Sequence, residues 1–183
     1  MKERETAEIM EALQRPFAAH EVEWRACRIG VTDGRPWALV HCHLTNRAIM
    51  NRLDEVFGLG NWRNEYIRWG GNSALCGLSI RINGEWLTKW DGASATEIAA
   101  VKGTLSDAMK RAAVQWGIGR YLYQLNERFA ACTTRKPGGD NWHREFDRVS
   151  GVTFWWRPPA LPAWALPRPA TATGSGKNME AGR

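Results

Sequence analysis

The stretch ALCGLSIRINGEWLTKW, residues 74–90, determines the fold class of this 183-residue chain. Its apolar residues alternate with polar ones from Leu78 to Asn83, which is typical of a strand with one buried and one polar face. Asn83-Gly84 is the strongest hairpin signal in the chain, because both central positions of such a turn favour positive φ. WRNEYIRW, just before it, also has strand composition. We therefore expect an antiparallel meander of three strands, at 62–69, 74–82 and 85–90.

The sequence before this sheet predicts two further strands and two helices. Pro16 ends the first helix, because proline is not tolerated in a helix interior. Thr45 can cap the second helix, and Gly58 follows it as a stop signal. The expected elements are, in order, a helix at 3–14, a strand at 21–29, a turn at 32–36, a strand at 37–44 and a helix at 45–57.

After the sheet the apolar residues follow a helical period. Ser94 with Glu97, and Thr104 with Asp107, have the spacing of capping boxes. They predict helices at about 94–102 and 104–116, separated by Gly103. The second helix has one apolar face, formed by Leu105, Met109, Ala112 and Trp116. Helices beside an antiparallel sheet define an α+β fold, and we expect the meander to pack on the long helix.

Composition divides the chain into three parts. Residues 1–133 are expected to form the folded core, and residues 134–157 a partly ordered extension in which Trp155 and Trp156 can form a last strand. Residues 158–183 are expected to be a flexible Pro-rich tail, since five of the eight prolines lie between Pro158 and Pro169.

Charge and hydropathy narrow the class of protein. No run of apolar residues is long enough to span a membrane, and the charged N-terminus does not resemble a signal peptide, so we expect a cytoplasmic protein. The net charge is +6, of which +3 comes from residues 1–156 and +3 from residues 157–183. The predicted folded part is therefore only mildly basic, which supports binding to a polyanion weakly.

The sequence contains no catalytic motif of a known kind. It has no nucleophile elbow, no P-loop and no dinucleotide-binding glycine pattern, and its acidic residues suggest no metal-binding pair. His41, Cys42 and His43 lie in a predicted strand, where alternation places the two histidines on one face and the cysteine on the other. Only two ligands would then converge, so we expect no metal site. No cofactor and no enzymatic activity are expected.

Residues 101–125, VKGTLSDAMKRAAVQWGIGRYLYQL, are the most informative for function. In a helix that begins at Thr104, Lys110 and Arg111 lie away from the apolar face. Together with Lys102 and Arg120 they can form a basic strip that follows a phosphate backbone. The alternative is an ordinary solvated face, in which Asp107 pairs with Lys110 and Arg111 at helical spacing. Spacing alone favours this alternative.

Two separated blocks resemble the Rad52/22 family of double-strand-break repair proteins, in particular the small members from phages and bacteria. The first is KGTLSDAMKRAAVQWGIGRYLY at 102–123, which is similar to the signature of that family. The second is VEWR at 22–25 followed by WALVHCHLTNRAIMNRLDEVFGLGNW at 37–62. The resemblance covers residues 20–130 and agrees with the predicted order of strands and helices.

The resemblance implies a protein that binds single-stranded DNA and anneals complementary strands. Members of the family form rings of about ten or eleven subunits, in which a basic groove holds the DNA backbone and leaves the bases exposed. On the matching positions, Lys110 and Arg111 line the groove, and Arg25 and Lys102 have less certain places in it. Val114 stands where larger members have another basic residue, so part of the affinity would come from Arg120 or from elsewhere in the chain.

The sequence leaves three candidate functions for this protein. The expected one is single-strand annealing in homologous recombination and double-strand-break repair, and the alternative is protection of DNA ends by a single-strand binder that does not anneal. A nuclease has the least support. The expected partners are single-stranded DNA, other copies of this chain and, through the tail, a single-strand-binding protein. Trp86 and Trp90 share a strand face and are expected in the core or at a subunit interface rather than stacked on bases.

Overall fold

The computed structural model describes residues 3–71, 73–94 and 101–168, and of residues 3–5, 101 and 102 only the backbone. Three α-helices lie in this part of the chain: α1 (Glu3–Gln14), α2 (Asn46–Phe57) and α3 (Val101–Gln115). Its strands are β1 (Val22–Thr32), β2 (Arg35–Leu44), β3 (Trp62–Arg68), β4 (Ser73–Ile82), β5 (Glu85–Ser94), β6 (Arg128–Phe129), β7 (Ala131–Thr133), β8 (His143–Asp147) and β9 (Val152–Arg157). Within it no helix has the length and apolar character needed to cross a membrane.

The strands form three antiparallel sheets of three strands each. Their orders are β1-β2-β6, β3-β4-β5 and β7-β9-β8. The predicted α+β fold with antiparallel pairing is confirmed. Strand β5 continues to Ser94, four residues beyond the predicted end at Trp90.

The turns and one helix follow the local sequence signals. Asn83 and Gly84 have φ of 54° and 85°, as the hairpin prediction requires. The Thr45 hydroxyl accepts a hydrogen bond of 3.0 Å from the amide of Ala48, which confirms the predicted cap of α2. Gly58, with φ of 75°, ends that helix as predicted.

The predicted boundaries of the two helices at 94–102 and 104–116 were wrong. Ser94 ends strand β5 instead of capping a helix, residues 95–100 lie outside the described residues, and α3 runs through Gly103 to Gln115 without a break. Thr104 is buried inside α3 rather than placed at its start. A glycine inside a helix costs about 1 kcal/mol, which the packing of α3 on β4 and β5 outweighs.

The main core lies between α3 and the sheet β3-β4-β5. The residues of α3 that face the sheet are mostly small, so the helix lies close to the strands. Trp116, which follows α3, donates a hydrogen bond of 3.0 Å from its indole to the carbonyl of Leu78. The buried residues of this contact are Cys76, Leu78, Ile80, Ala108, Met109, Ala112 and Ala113.

Helix α1 is attached to α2 by a buried arginine. Arg52, 5% exposed, donates from one guanidinium nitrogen to the carbonyls of Ala12, Leu13 and Arg15 at 2.8–3.3 Å. The guanidinium also lies 3.9 Å from the centre of the buried Phe17 ring. Because a buried charge needs hydrogen-bond partners, the last turn of α1 and Arg52 satisfy each other.

A second, smaller core lies between β2 and β9, where Ala38 and Val40 pack against Phe154 and Trp156. The predicted last strand at Trp155-Trp156 is therefore confirmed. Of the segment predicted as a flexible tail, residues 158–168 are described: Leu161 packs against the main core and Ala165 is fully buried. Residues 169–183, with the expected site for a single-strand-binding protein, lie outside the described residues.

Candidate nucleic-acid interface

A groove of about 730 Å³ separates the hairpin β1–β2 from helix α3 and strand β5. One wall carries Arg25 of β1 and the histidines of β2, and the other carries Lys110 and Arg111 of α3. Among the described residues that line it, Asp107 is the only carboxylate. Three cationic side chains from two separate elements therefore face a groove to which the described part of the chain contributes one anionic group.

The two basic residues of α3 have different partners. Lys110 Nζ lies 3.4 Å from Asp107 one helical turn away, as the alternative interpretation expected. Arg111 does not pair with Asp107. Its Nε donates instead to Asp91 of β5 at 2.9 Å, and its side chain remains about half exposed. The ion pair thus orients Arg111 at the groove and leaves most of its donors for a ligand.

Asp91 is suited to this orienting role. Although burial acts in the opposite direction, hydrogen bonds from the Gly92 amide and from Arg111 lower the pKa of Asp91 below its ordinary value. The carboxylate therefore stays ionised throughout the neutral range. It holds one edge of the Arg111 guanidinium against the sheet.

The two histidines lie side by side on the groove wall. Their rings are 6.1 Å apart, while Cys42 between them packs against the main core, so the predicted alternation is confirmed. In the register of β1 with β2, Arg25 is opposite His41 and Glu23 is opposite His43. No set of three histidine, cysteine, aspartate or glutamate side chains within the described residues is arranged to hold a metal ion.

Sequence reasoning missed the histidines as groove residues. The sequence signal was present, since alternation placed both on one face of a strand next to the strand that carries Arg25. Local sequence does not show that α3 brings Lys110 to this face, because that position depends on tertiary packing. This packing changes the pKa of His43, which burial and the nearby Lys110 lower below its ordinary value.

Two other predicted site residues have different positions. Arg120 is not among the residues that line the groove. Its guanidinium donates to the carbonyls of Val114 and Gln115 at 3.0 and 2.9 Å, and so caps the C-terminal end of α3. Lys102 lies in the first turn of α3, but its side chain is outside the described residues.

The tyrosines near Arg120 also differ from each other. The hydroxyl of Tyr121 accepts a hydrogen bond of 2.9 Å from the amide of Phe17, so this side chain packs within the subunit. Tyr123 lines the groove and is 69% exposed. The groove therefore has one exposed aromatic ring at its rim.

The opposite face of the sheet, away from α3, carries two tryptophans among polar and charged side chains. Trp86 and Trp90 lie on it as predicted for one strand face, and they are 37% and 38% exposed. The Trp90 ring lies flat over Gly77, where a Cβ would be only 2.6 Å from it. Arg63 stacks on Trp86 at 4.5 Å. We refer to Ile67, Trp86 and Trp90 as the outer face.

The family described as "Rad52/22 family double-strand break repair protein" matches residues 5–141, which contain the whole groove. This chain belongs to the Rad52/22 family. Two relatives are named single-stranded DNA-binding protein DdrA. The one from Deinococcus radiodurans is 33% identical to this Rad52/22 member over 88% of the chain and 69% of the relative. The one from Deinococcus deserti is 32% identical over 96% of the chain and 78% of the relative.

Proposed function

We propose that this Rad52/22 family member binds single-stranded DNA in the groove and anneals complementary strands during recombination and double-strand-break repair. The observation that carries the proposal is the convergence of Arg25, Lys110 and Arg111 on one groove. The printed names of the two relatives support single-stranded DNA as the ligand.

The mechanism is physical rather than chemical. Lysine and arginine neutralise backbone phosphates and release their counterions, which gives binding that does not depend on sequence. A strand held by its backbone keeps the edges of its bases free for pairing, and reduced charge repulsion lets a complementary strand approach. Nucleotide hydrolysis and a cofactor are not needed, so the protein acts without being an enzyme.

We further propose that residues 1–133 form the annealing core of the family, in which the sheet β3-β4-β5 is a meander packed on the helix α3. Copies of this core assemble into a ring of about ten or eleven subunits. The outer face supports self-association, because its exposed tryptophans are residues that protein interfaces favour. A ring joins weak individual grooves into one tight site. The mass in solution, measured with and without an oligonucleotide, tests the assembly.

The function is tested by annealing of two complementary oligonucleotides. Wild-type protein should accelerate annealing, and Lys110→Ala/Arg111→Ala should lose most of the binding and the acceleration. Arg135→Ala/Lys136→Ala is the matched control, since it removes the same charges from exposed positions outside the groove. Equal loss in both variants, or no acceleration by the wild-type protein, would contradict the proposal.

The second candidate is protection of DNA ends without annealing, because the names of the relatives state binding alone. Nuclease digestion of a single strand, with and without its complement, separates the two. An annealing protein converts the strand into a duplex when the complement is added. A protein that only protects ends keeps it single-stranded and resistant.

A further inference from the structure

Two of the four histidines of the chain lie in the groove, directly beside its cations. His41 is opposite Arg25 in the strand register, and His43 lies near Lys110 of the facing helix. Neither histidine holds a metal ion in a cluster of the described residues. They are therefore polar, titratable groups within the surface proposed to contact phosphates.

The hydrogen bonding of His43 within the described residues is incomplete. Its Nδ1 atom is buried and has no hydrogen-bond partner among the described residues. Its Nε2 atom lies 3.4 Å from the Glu23 carboxylate, which is itself more than half exposed. Buried polar atoms are nearly always paired in folded proteins, and the groove is the side from which a partner of His43 can come.

The charges around His43 come from every element that borders it. Strand β1 contributes Glu23 and Arg25, β2 contributes His41, and α3 contributes Lys110, next to Asp107. Burial and then Lys110 lower the pKa of His43, and the opposing effect of Glu23 does not compensate. His43 is therefore neutral in the free protein at neutral pH.

We propose that His41 and His43 are phosphate contacts and that His43 takes up a proton from solvent when a DNA backbone enters the groove. This inference rests on the proposed function. A phosphate in the groove offsets the repulsion from Lys110 and Arg25, and the protonated imidazole donates a charge-assisted hydrogen bond to it. The groove thus gains a further cation only when DNA is present.

Proton uptake on binding determines whether DNA affinity rises or falls with pH. The bound state favours protonated His43, so its pKa is higher in the complex than in the free protein. Affinity then rises as pH falls from above the pKa of the complex towards that of the free protein. One linked proton changes the dissociation constant by up to about tenfold per pH unit.

The test measures binding of a fluorescent oligothymidylate between about pH 8.5 and 5.5 at fixed ionic strength. Wild-type protein should bind more tightly at lower pH, and His41→Gln/His43→Gln should have a much flatter profile. His20→Gln and His143→Gln are the matched controls, because those histidines lie outside the groove. Both controls should keep the wild-type profile. The same profile in wild type and His41→Gln/His43→Gln would overturn the inference.

A second measurement needs no variant that could misfold. Calorimetry of the wild-type protein in two buffers of different ionisation enthalpy should show net proton uptake on binding, and the imidazole NMR signal of His43 should titrate at higher pH with DNA. No uptake and an unchanged titration would overturn the inference. Suppose that Lys110→Ala/Arg111→Ala loses binding, but the wild-type protein shows neither proton uptake nor a shifted His43 titration. In that case only the inference fails, and the proposed function stands. If wild-type protein does not bind the oligonucleotide at any pH, the proposed function fails as well.

Discussion

The two faces of the sheet β3-β4-β5 differ in almost every respect. The inner face is covered by α3, and at its edge Asp91 fixes Arg111 at the groove. No helix of the described residues covers the outer face, which exposes tryptophan and isoleucine. Strand β5 serves both, since Trp90 points outward and its neighbour Asp91 points to α3. The proposed binding of DNA and the proposed self-association therefore depend on alternate residues of one strand, and they can be separated by substitution.

The largest expected effect is on assembly. Trp86→Ala/Trp90→Ala removes two large side chains from the outer face, whose exposed parts an interface would bury with a gain in proportion to the apolar area removed from water. We expect a smaller mass by light scattering, with the groove of each subunit unchanged. Lys110→Ala/Arg111→Ala should have the reverse pattern, with normal mass and weak binding. A variant of the outer face that keeps the wild-type mass would place the subunit contact elsewhere.

An intermediate effect is expected from Arg120→Ala. Arg120 caps the end of α3, but Lys89 also donates to the carbonyl of Gln115 at 2.9 Å, so the end keeps one cation. The free energy of unfolding should fall by about 1 kcal/mol or less in denaturant titration. DNA affinity should change far less than in Lys110→Ala/Arg111→Ala. A loss of binding as large as in that variant would show that Arg120 reaches DNA.

The smallest effect is expected from Asp91→Asn. The lowered pKa of Asp91 means that its contribution to stability is present above the ordinary carboxyl pKa and is lost as pH falls through the lowered value. The variant should therefore lose less stability than the wild type on acidification below about pH 4. At neutral pH it should bind DNA slightly more tightly, because a negative charge beside Arg111 is removed. Weaker binding would instead show that orientation of Arg111 matters more than charge.

Local signals were sufficient to predict much of the fold. The Asn83-Gly84 hairpin, the Thr45 cap and the alternation at His41 and His43 each depend on a few neighbouring residues. The continuous course of α3 through Gly103 was not predictable in this way, because packing on the sheet outweighs the local preference of glycine.

The site was predictable only in part for the same reason. Helical spacing placed Lys110 and Arg111 on one side of α3, but Asp91, which orients Arg111, is 20 residues away. Arg120 has the charge and position of a groove residue in the sequence. Its capping of α3 depends on the turn after that helix, which spacing alone does not describe.

The contact of Arg52 with α1 has a consequence for the order in which the chain acquires structure. The carbonyls at the end of α1 receive their partner from a residue 37 to 40 positions later. During synthesis, α1 leaves the ribosome well before Arg52, so its last turn is completed only when α2 has also emerged. A chain shortened from the N-terminus past Arg15 would leave a buried guanidinium without these acceptors. The last turn of α1 thus depends for its stability on a side chain of α2.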